Sequence, residues 1–328
     1  LGDVLRTTAL LPGLKKKYPE SSITWLTRLR SAPLFNNNDF INELLTVEND
    51  AIPRLNAEKF DIVINTDADK TSAALASMAK ASKKFGMLLD PEGYVKPADK
   101  NAEEWLEMTA FDQNKTKNKK TYQQIIYEIC GLKFSGEKPI LKLSDQETLW
   151  AEDFLKRHSL DGKNRVIGLN LGGGDRWKHK RWSEERIAEF SGLISSESSD
   201  RLILIGGRNE SDLMKRLQSK LKHPFVSSGT DLTLRHLAGL ISVCDVLITG
   251  DSLAMHMATA LDVPSIVLFG PTSSSEIELY GTGEKIITPA ECRVCYLPDC
   301  DKTPNCMELI KAETVFSALK KITAKNCF

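Results

Sequence analysis

The strongest constraint on the fold is a regular alternation of short apolar runs with helix-like stretches along almost the whole chain. The runs are four to seven residues long and rich in β-branched residues, which is typical of buried strands. The alternation predicts βα units around parallel sheets, an α/β fold. Predicted strands lie at 23–27, 44–47, 61–65, 84–87, 166–170, 202–205, 246–249 and 265–269, with a helix at 71–82.

Two series of βα units are separated by residues 132–165, where Pro139 and a charged helix at 145–158 break the pattern. A chain of 328 residues suits two domains. We predict domains at 1–155 and 156–310, then a helix at 311–328. That helix either packs back across the first domain or is the last helix of the second. The first residues have a pattern that is typical of a strand-to-helix turn. We therefore expect a short strand upstream of residue 1.

Charge and hydropathy exclude several functions. Lys plus Arg and Asp plus Glu both number 44, so no basic excess supports general nucleic-acid binding. Hydrophobic residues make up 41% of the chain, which indicates a globular core rather than disorder. No apolar run approaches the ~18 residues of a membrane helix, and we expect no signal peptide. An anionic partner must therefore be met by local clusters of cations.

Three glycine-rich turns follow predicted strands of the second half, where helix amino termini can face an anion. The first turn contains three adjacent glycines and is followed by several cations. Glycine frees the backbone to approach a ligand but costs conformational entropy, so anion binding is favoured over a purely structural turn. The candidate residues are Gly172, Gly173, Gly174, Lys178, Lys180 and Arg181.

The other two turns offer hydrogen-bonding groups. The carboxylate of Glu210 is placed to accept hydrogen bonds from ribose hydroxyls, and stabilising a helix amino terminus is the alternative. A cap by Asp251 or Ser252 would leave the N–H groups of the next helix facing a ligand. His256 lies one turn into that helix, where structural and binding roles are both open. The candidate residues are Gly206, Gly207, Glu210, Asp251, Ser252, Leu253 and His256.

Four motifs occur in a fixed order between residue 2 and about residue 310. They are Gly-Asp-Val-Leu-Arg-Thr-Thr at 2–8, Lys-Arg-Trp-Ser-Glu at 180–184, Gly-Gly with Glu at 206–210, and Asp-Ser with His at 251–256 followed by Phe-Gly-Pro-Thr at 269–272. Together they resemble the signature of the ADP-heptose:lipopolysaccharide heptosyltransferases, glycosyltransferase family 9. The resemblance implies a GT-B fold, in which two Rossmann-like doubly wound domains face each other across a cleft.

The resemblance also implies inverting transfer of heptose from ADP-heptose. By position in the motifs, Asp3 would be the base that takes the acceptor proton, with helix capping as the alternative. Lys180 would neutralise the departing diphosphate, and Lys178 and Arg181 are alternates for this role. A surface ion pair without a catalytic function is the alternative role for Lys180. This chemistry requires no cofactor.

The acceptor implied by the resemblance is lipid A bearing Kdo, or the core oligosaccharide of lipopolysaccharide. Arg6, Thr7 and Thr8 lie one helical turn beyond the predicted base and would contact the acceptor or the donor phosphate. Such an enzyme would be cytoplasmic, with peripheral contact at the inner face of the cytoplasmic membrane and no nucleic-acid partner.

One position departs from the family pattern. The family usually has Gly after Asp-Ser, whereas this chain has Leu253, which leaves the pose of the donor and the identity of its sugar open. Two alternative functions also stay open. One is a protein-O-heptosyltransferase that uses the same donor. The other is a catalytically silent nucleotide- or glycan-binding module, although retention of Asp3, Lys180 and His256 argues against it.

Four of the seven cysteines fall within fifteen residues, in the spacing Cys-x2-Cys-x4-Cys-x5-Cys. Clustered cysteines in a long chain without a secretion signal favour reduced thiols or a metal over a disulfide framework. The spacing suits a tetrahedral thiolate site, so a structural zinc or iron is a hypothesis beside two disulfides or free thiols. The candidate ligands are Cys292, Cys295, Cys300 and Cys306.

Overall fold

The structure, a computed structural model, describes residues 1–49, 51–173 and 178–325. The chain forms two compact units. The small unit comprises Arg6–Pro139 and Ser275–Glu278, and the large unit comprises Leu1–Leu5, Ile140–Ser274 and Leu279–Phe328. This division differs from the predicted 1–155 and 156–310, because the first five residues and the helix near 145 group with the second half of the chain.

The small unit holds the first βα series and two short sheets. One sheet pairs two parallel strands, and the other has three strands, of which the last is antiparallel. The helix that crosses the boundary between the units is α1 (Gly2–Thr7). The other elements are α2 (Leu10–Lys17), β1 (Thr24–Thr27), β2 (Glu43–Thr46), α3 (Ala51–Ala57), β3 (Lys59–Asn65), α4 (Lys70–Met78), β4 (Lys80–Leu89), β5 (Val95–Pro97), α5 (Lys100–Ala110), α6 (Asp112–Lys117) and α7 (Tyr122–Ile129).

The core of the small unit lies between β4 and helices α2, α5 and α7. Helices α4, α5 and α7 each begin at a side-chain cap. Asp69 and Asp99 accept hydrogen bonds from backbone N–H groups at the starts of α4 and α5, and Thr121 and Gln124 form a capping box at α7. Caps of this kind, read together with the apolar pattern, explain why these helices begin where they do.

The large unit is built on one parallel sheet of six strands. Its elements are α8 (Asp145–Arg157), β6 (Val166–Asn170), α9 (Glu184–Glu197), β7 (Arg201–Ile205), α10 (Ser211–Lys220), β8 (Val226–Ser227), α11 (Leu234–Ser242), β9 (Val246–Gly250), α12 (Leu253–Ala260), β10 (Ser265–Phe269), β11 (Gly283–Ile287) and α13 (Ala312–Lys325). The strands lie in the order β8-β7-β6-β9-β10-β11. Counted within the unit this is 3-2-1-4-5-6, the Rossmann order.

The last helix, α13, packs on the large unit. Its apolar face joins the core cluster that covers the sheet, and Phe316 meets Phe190 of α9 edge to face. Trp182 adds a hydrogen bond from Nε1 to the carbonyl of Ile310, just before α13. The sequence left two placements open for this helix. In the structure, α13 is the last helix of the second domain and packs on that domain.

Helix α8 is fixed to α11 by a largely buried ion pair. Both carboxylate oxygens of Glu147 accept hydrogen bonds from the guanidinium of Arg235, at 2.7 and 2.5 Å. Hydrogen bonds from Arg235 hold the pKa of Glu147 down to about 2. The ring of Trp150 also stacks on His236, with centroids 4.2 Å apart. These contacts explain why the segment near 145 belongs to the large unit.

No helix among the described residues is long and apolar enough to cross a membrane.

Candidate active site

The strand order of the large unit defines a switch point between β6 and β9. Connections leave these adjacent strands in opposite directions, and ligands of such sheets bind beyond the carboxyl ends at that place. Asn170 ends β6, and its Nδ2 lies 3.0 Å from Thr249 Oγ1 and 3.1 Å from Ser252 Oγ. The first and third predicted glycine-rich turns therefore meet at the switch point.

Helix α12 begins at the switch point. Ser252 is its N-cap residue, but its hydroxyl is bonded to Asn170 and Thr249 and does not cap the helix. No side chain at the N-cap thus covers the first N–H groups of α12. The positive end of the helix dipole is left for an anion.

Lys180 and Asp251 form an ion pair beside this helix end. Lys180 Nζ lies 3.0 Å from Asp251 Oδ2, and the two side chains are only 13% and 19% exposed. Burial would raise the pKa of Asp251, but the charges of Lys180 and His256 and hydrogen bonds from Lys180 and Thr272 outweigh it and lower the pKa. The carboxylate of Asp251 therefore holds the ammonium group of Lys180 at the switch point.

Gly250 lets the backbone of Lys180 pass close to the end of β9. A Cβ at position 250 would lie 2.6 Å from the carbonyl oxygen of Lys180, closer than real contacts allow. The absence of a side chain at this residue thus positions the cation that the motifs predicted.

The other predicted cation and carboxylate also pair. Arg181 Nη2 lies 2.5 Å from Glu210 Oε1, and Glu210 Oε2 accepts a hydrogen bond from the N–H of Gly207. Both carboxylate oxygens of this buried residue are thus engaged. A ribose hydroxyl that binds Glu210 must share the carboxylate with Arg181.

The remaining glycines of the two turns lie close by. A Cβ on Gly172 would be 3.7 Å from Glu210 Oε2, and one on Gly206 would be 3.1 Å from Glu210 Cβ. Gly173 is buried. Gly174 and the side chain of Lys178 lie outside the described residues.

The start of α1 lies against α12. A Cβ at Gly2 would lie 2.8 Å from His256 Cδ2 and 3.8 Å from the Cα of Leu253. The exposed Asp3 follows directly in the chain. The structure therefore brings Asp3, Leu253 and His256 to one end of the large unit, although the sequence predicted Asp3 to belong to the first domain.

The candidate acceptor residues lie at the end of α1 and just beyond it, in the small unit. The guanidinium of Arg6 stacks 3.7 Å above the ring of Tyr122, and Thr7 Oγ1 is 2.8 Å from the Tyr122 hydroxyl. Thr8 is completely buried, so its side chain does not face solvent. Sequence reasoning missed Tyr122 because it carries no motif and lies 115 positions from Thr7.

Tyr122 is itself well anchored. Its hydroxyl is 3.3 Å from Thr66 Oγ1, just beyond the carboxyl end of β3, and its ring meets Trp105 edge to face. Trp105 Nε1 in turn donates to the Thr66 carbonyl. Arg6 therefore rests on a fixed aromatic surface at a strand end of the small unit.

The clustered cysteines lie in the loop after β11, and all four are free thiols. Burial and the charges of Cys295, Cys300 and Cys292 raise the pKa of Cys306 to about 11. Among the described residues, however, no group of three or more His, Cys, Asp or Glu is arranged to hold a metal ion. The donor chemistry suits zinc or iron, but the arrangement of the loop does not gather the thiols around a common point.

The chain is similar to known proteins in sequence and in fold. A family model described as glycosyltransferase family 9 (heptosyltransferase) matches residues 51–300. A lipooligosaccharide heptosyltransferase 2 of Campylobacter jejuni is 25% identical over 336 residues, covering 98% of this chain and 96% of the relative.

Two solved structures share the fold. A family 9 glycosyltransferase of Veillonella parvula superposes with a TM-score of 0.76 at 20% identity, covering 99% of this chain and 95% of the other. The Escherichia coli ADP-heptose LPS heptosyltransferase II gives 0.70 at 19% identity, with 99% and 96% covered. These matches confirm the predicted α/β fold of the GT-B type.

The family model spans well over half of the chain. The chain therefore belongs to glycosyltransferase family 9, the heptosyltransferases.

Proposed function

We propose that this glycosyltransferase moves heptose from ADP-heptose to an inner-core acceptor of lipopolysaccharide, with inversion at the anomeric carbon. Family membership and the names of its relatives support the sugar and the acceptor class. The observation that carries the proposal is the Lys180–Asp251 pair beside the uncapped start of α12, at the switch point of a Rossmann sheet. This is a site for a nucleotide diphosphate.

The donor diphosphate would bind at the start of α12, where Lys180 and the helix dipole stabilise the negative charge that develops as ADP leaves. Arg181 and Glu210 would serve the ribose side of the nucleotide. The carboxylate of Asp3 would take the proton from the attacking acceptor hydroxyl as the new glycosidic bond forms. A side chain in place of Gly2 would collide with His256, so the close approach of these two residues sets the position of Asp3 relative to α12.

The acceptor would be bound by the small unit. Arg6, stacked on Tyr122, presents a planar cation of the kind that binds carboxylate or phosphate. Both groups occur on lipid A bearing Kdo and on the core oligosaccharide. Since such an acceptor is a membrane lipid, the enzyme would act in the cytoplasm with peripheral contact at the inner face of the cytoplasmic membrane.

The test is transfer by the purified full-length chain. ADP-heptose is mixed with Kdo-bearing lipid A, with core oligosaccharide or with a polypeptide extract, and the products are identified by mass spectrometry. We expect ADP release and addition of one heptose to a lipopolysaccharide acceptor. Calorimetry should show that ADP binds more tightly than UDP. Asp61→Asn, an exposed carboxylate of β3, is the control variant.

Three outcomes would contradict the proposal in different ways. Heptose added only to polypeptides would make the protein a protein-O-heptosyltransferase. Binding of ADP-heptose without transfer to any acceptor would make it a silent binding module. Failure to bind ADP at all would remove the nucleotide site itself.

We further propose that Cys292, Cys295, Cys300 and Cys306 hold a structural zinc or iron. The spacing of the four thiols suits one tetrahedral ion of either metal, and binding would require the loop to bring the thiols together. The metal would contribute to folding and take no part in transfer. Elemental analysis of anaerobically purified protein tests this. About one zinc or iron per chain is expected, and less than about 0.1 would leave disulfides or free thiols.

A further inference from the structure

The cysteine-rich loop is bonded to the turn that follows β10. The N–H of Val294 donates to the carbonyl of Gly270 at 3.1 Å, and the N–H of Tyr296 donates to the carbonyl of Pro271 at 2.9 Å. The Tyr296 hydroxyl oxygen accepts a hydrogen bond from the N–H of Ser273 at 3.1 Å. The loop therefore holds this turn by both its backbone and one side chain.

Tyr296 bonds the residues on either side of Thr272. Pro271 precedes Thr272 and Ser273 follows it, and both bonds come from this one tyrosine. Thr272 and Ser273 are buried, so the turn has little freedom once the bonds are made. The loop thus holds the backbone on both sides of Thr272.

Two residues of the loop adopt a costly backbone conformation. Val294 and Tyr296 have φ values of 62° and 51°, in the left-handed region. A β-branched residue such as valine rarely enters this region, and it persists there only when surrounding contacts compensate. The bonds to Gly270 and Pro271 are made by these same two residues. The two residues with a strained backbone are therefore the same two that bond the loop to the turn.

The turn leads to the ion pair of the candidate active site. Strand β10 pairs with β9 so that Leu268 lies opposite Gly250, which brings the turn after β10 beside Asp251. The Thr272 side chain contributes to lowering the pKa of Asp251, whose carboxylate holds Lys180 Nζ at 3.0 Å. Tyr296, Thr272, Asp251 and Lys180 therefore form one chain of contacts within the large unit.

We propose that Tyr296 is a positioning residue for the donor site: by fixing Thr272 against Asp251, it sets the place of Lys180. The inference rests on the proposed function in one respect, that Lys180 meets the donor diphosphate. Under this inference the cysteine-rich loop stabilises the nucleotide site through Tyr296, whether or not the loop also holds a metal.

The experiment measures ADP binding to the full-length chain by calorimetry. Tyr296→Phe removes the bond to Ser273 and keeps the ring, and we expect the Kd for ADP to rise about fivefold, the factor of one lost hydrogen bond. Thr272→Val should raise the Kd at least as much. In the double variant, Tyr296→Phe should add little, because Tyr296 acts through Thr272. Thr272→Ser keeps the hydroxyl and should restore the Kd of the wild type.

Tyr94→Phe is the control, since Tyr94 is 72% exposed in the small unit. An unchanged Kd in Tyr296→Phe would overturn the inference. So would an equal effect of Tyr296→Phe in the Thr272→Val background, which would indicate general loosening of the fold.

Hydrogen exchange of residues 270–274, measured without nucleotide, separates this inference from the proposed function. Tyr296→Phe should speed exchange of the Ser273 amide, whatever ligand the site takes. Unchanged exchange would refute the positioning role even if ADP binds. A wild-type chain that binds no ADP, yet shows faster exchange in the variant, would instead refute the nucleotide assignment and keep Tyr296 as the support of the turn.

Discussion

The two units of this enzyme prepare their candidate sites in different ways. In the large unit, the strands β6, β9 and β10 are almost entirely buried in a continuous parallel sheet, and the strand order itself marks where a ligand binds. In the small unit, the sheets are short and their strands partly exposed, and the candidate cation rests on an aromatic side chain. Topology thus defines one site, and a local side-chain cluster defines the other.

The largest expected effect concerns the segment that joins the two. Asp3→Asn should lower transfer by about two to four orders of magnitude, because a missing base removes that much catalysis. The Kd for ADP should stay near that of the wild type. Turnover assays and calorimetry on the same preparation check both statements. Near-normal turnover would show that Asp3 only stabilises the start of α1, a role worth about 1 kcal/mol.

Gly250→Ala tests whether the regular sheet of the large unit sets the donor site. The added Cβ would meet the carbonyl of Lys180, so the cation must move, and the Kd for ADP should rise about ten- to a hundredfold. Gly162→Ala is the matched control, since a Cβ at position 162 would meet no atom within 4 Å beyond its chain neighbours. An unchanged Kd for ADP would mean that Lys180 does not bind the diphosphate, or that a shift of the Lys180 backbone does not affect ADP binding.

Glu147→Gln tests what holds the large unit together away from the site. Removing the charge that pairs with Arg235 should lower the free energy of unfolding by about 1–3 kcal/mol at pH 7. Because the pKa of Glu147 is lowered from 4.5 to about 2, the pair stabilises the fold above pH 4.5 and loses this effect as the pH falls towards 2.

Denaturant unfolding at several pH values measures this difference. The variant and the wild type should converge between pH 4.5 and pH 2. Glu152→Gln, on the exposed face of the same helix, should match the wild type throughout. A pH-independent difference would assign the effect to packing.

The smallest effect is expected in the small unit. Arg6→Lys keeps the charge but loses the flat stack on Tyr122, and should raise the KM for the acceptor about two- to thirtyfold, with the Kd for ADP unchanged. Steady-state kinetics at saturating donor measure it, with Arg28→Lys as the exposed control. A change in ADP affinity instead would place Arg6 on the donor and weaken the contrast between the units.

The sequence predicted the large unit better than the small one. Uninterrupted apolar runs bounded by Gly, Asp or Pro located 166–170 and 265–269 at the observed bounds of β6 and β10. In the small unit, the helix expected to reach residue 82 ends at Met78, because Lys80 already begins β4. The polar or very short strands β5, β8 and β11 left no apolar run to recognise.

The same limit applies to the candidate site. Lys180, Asp251 and Glu210 were found because they lie in motifs, but their pairing partners could not be read from the chain. Asn170 and Tyr296 were missed entirely. Each acts through bonds to residues more than twenty positions away, and such contacts exist only once the strands are in order.

The two ion pairs at the switch point have a consequence for kinetics. Lys180 with Asp251, and Arg181 with Glu210, each carry no net charge, so these four groups project little field into solvent. Their contribution to the rate of nucleotide association should therefore depend only weakly on ionic strength. Under the proposed function, Asp251 would compete with the phosphates of the ADP product for Lys180. The carboxylate would then act as an internal counter-ligand that shortens the time the product stays bound.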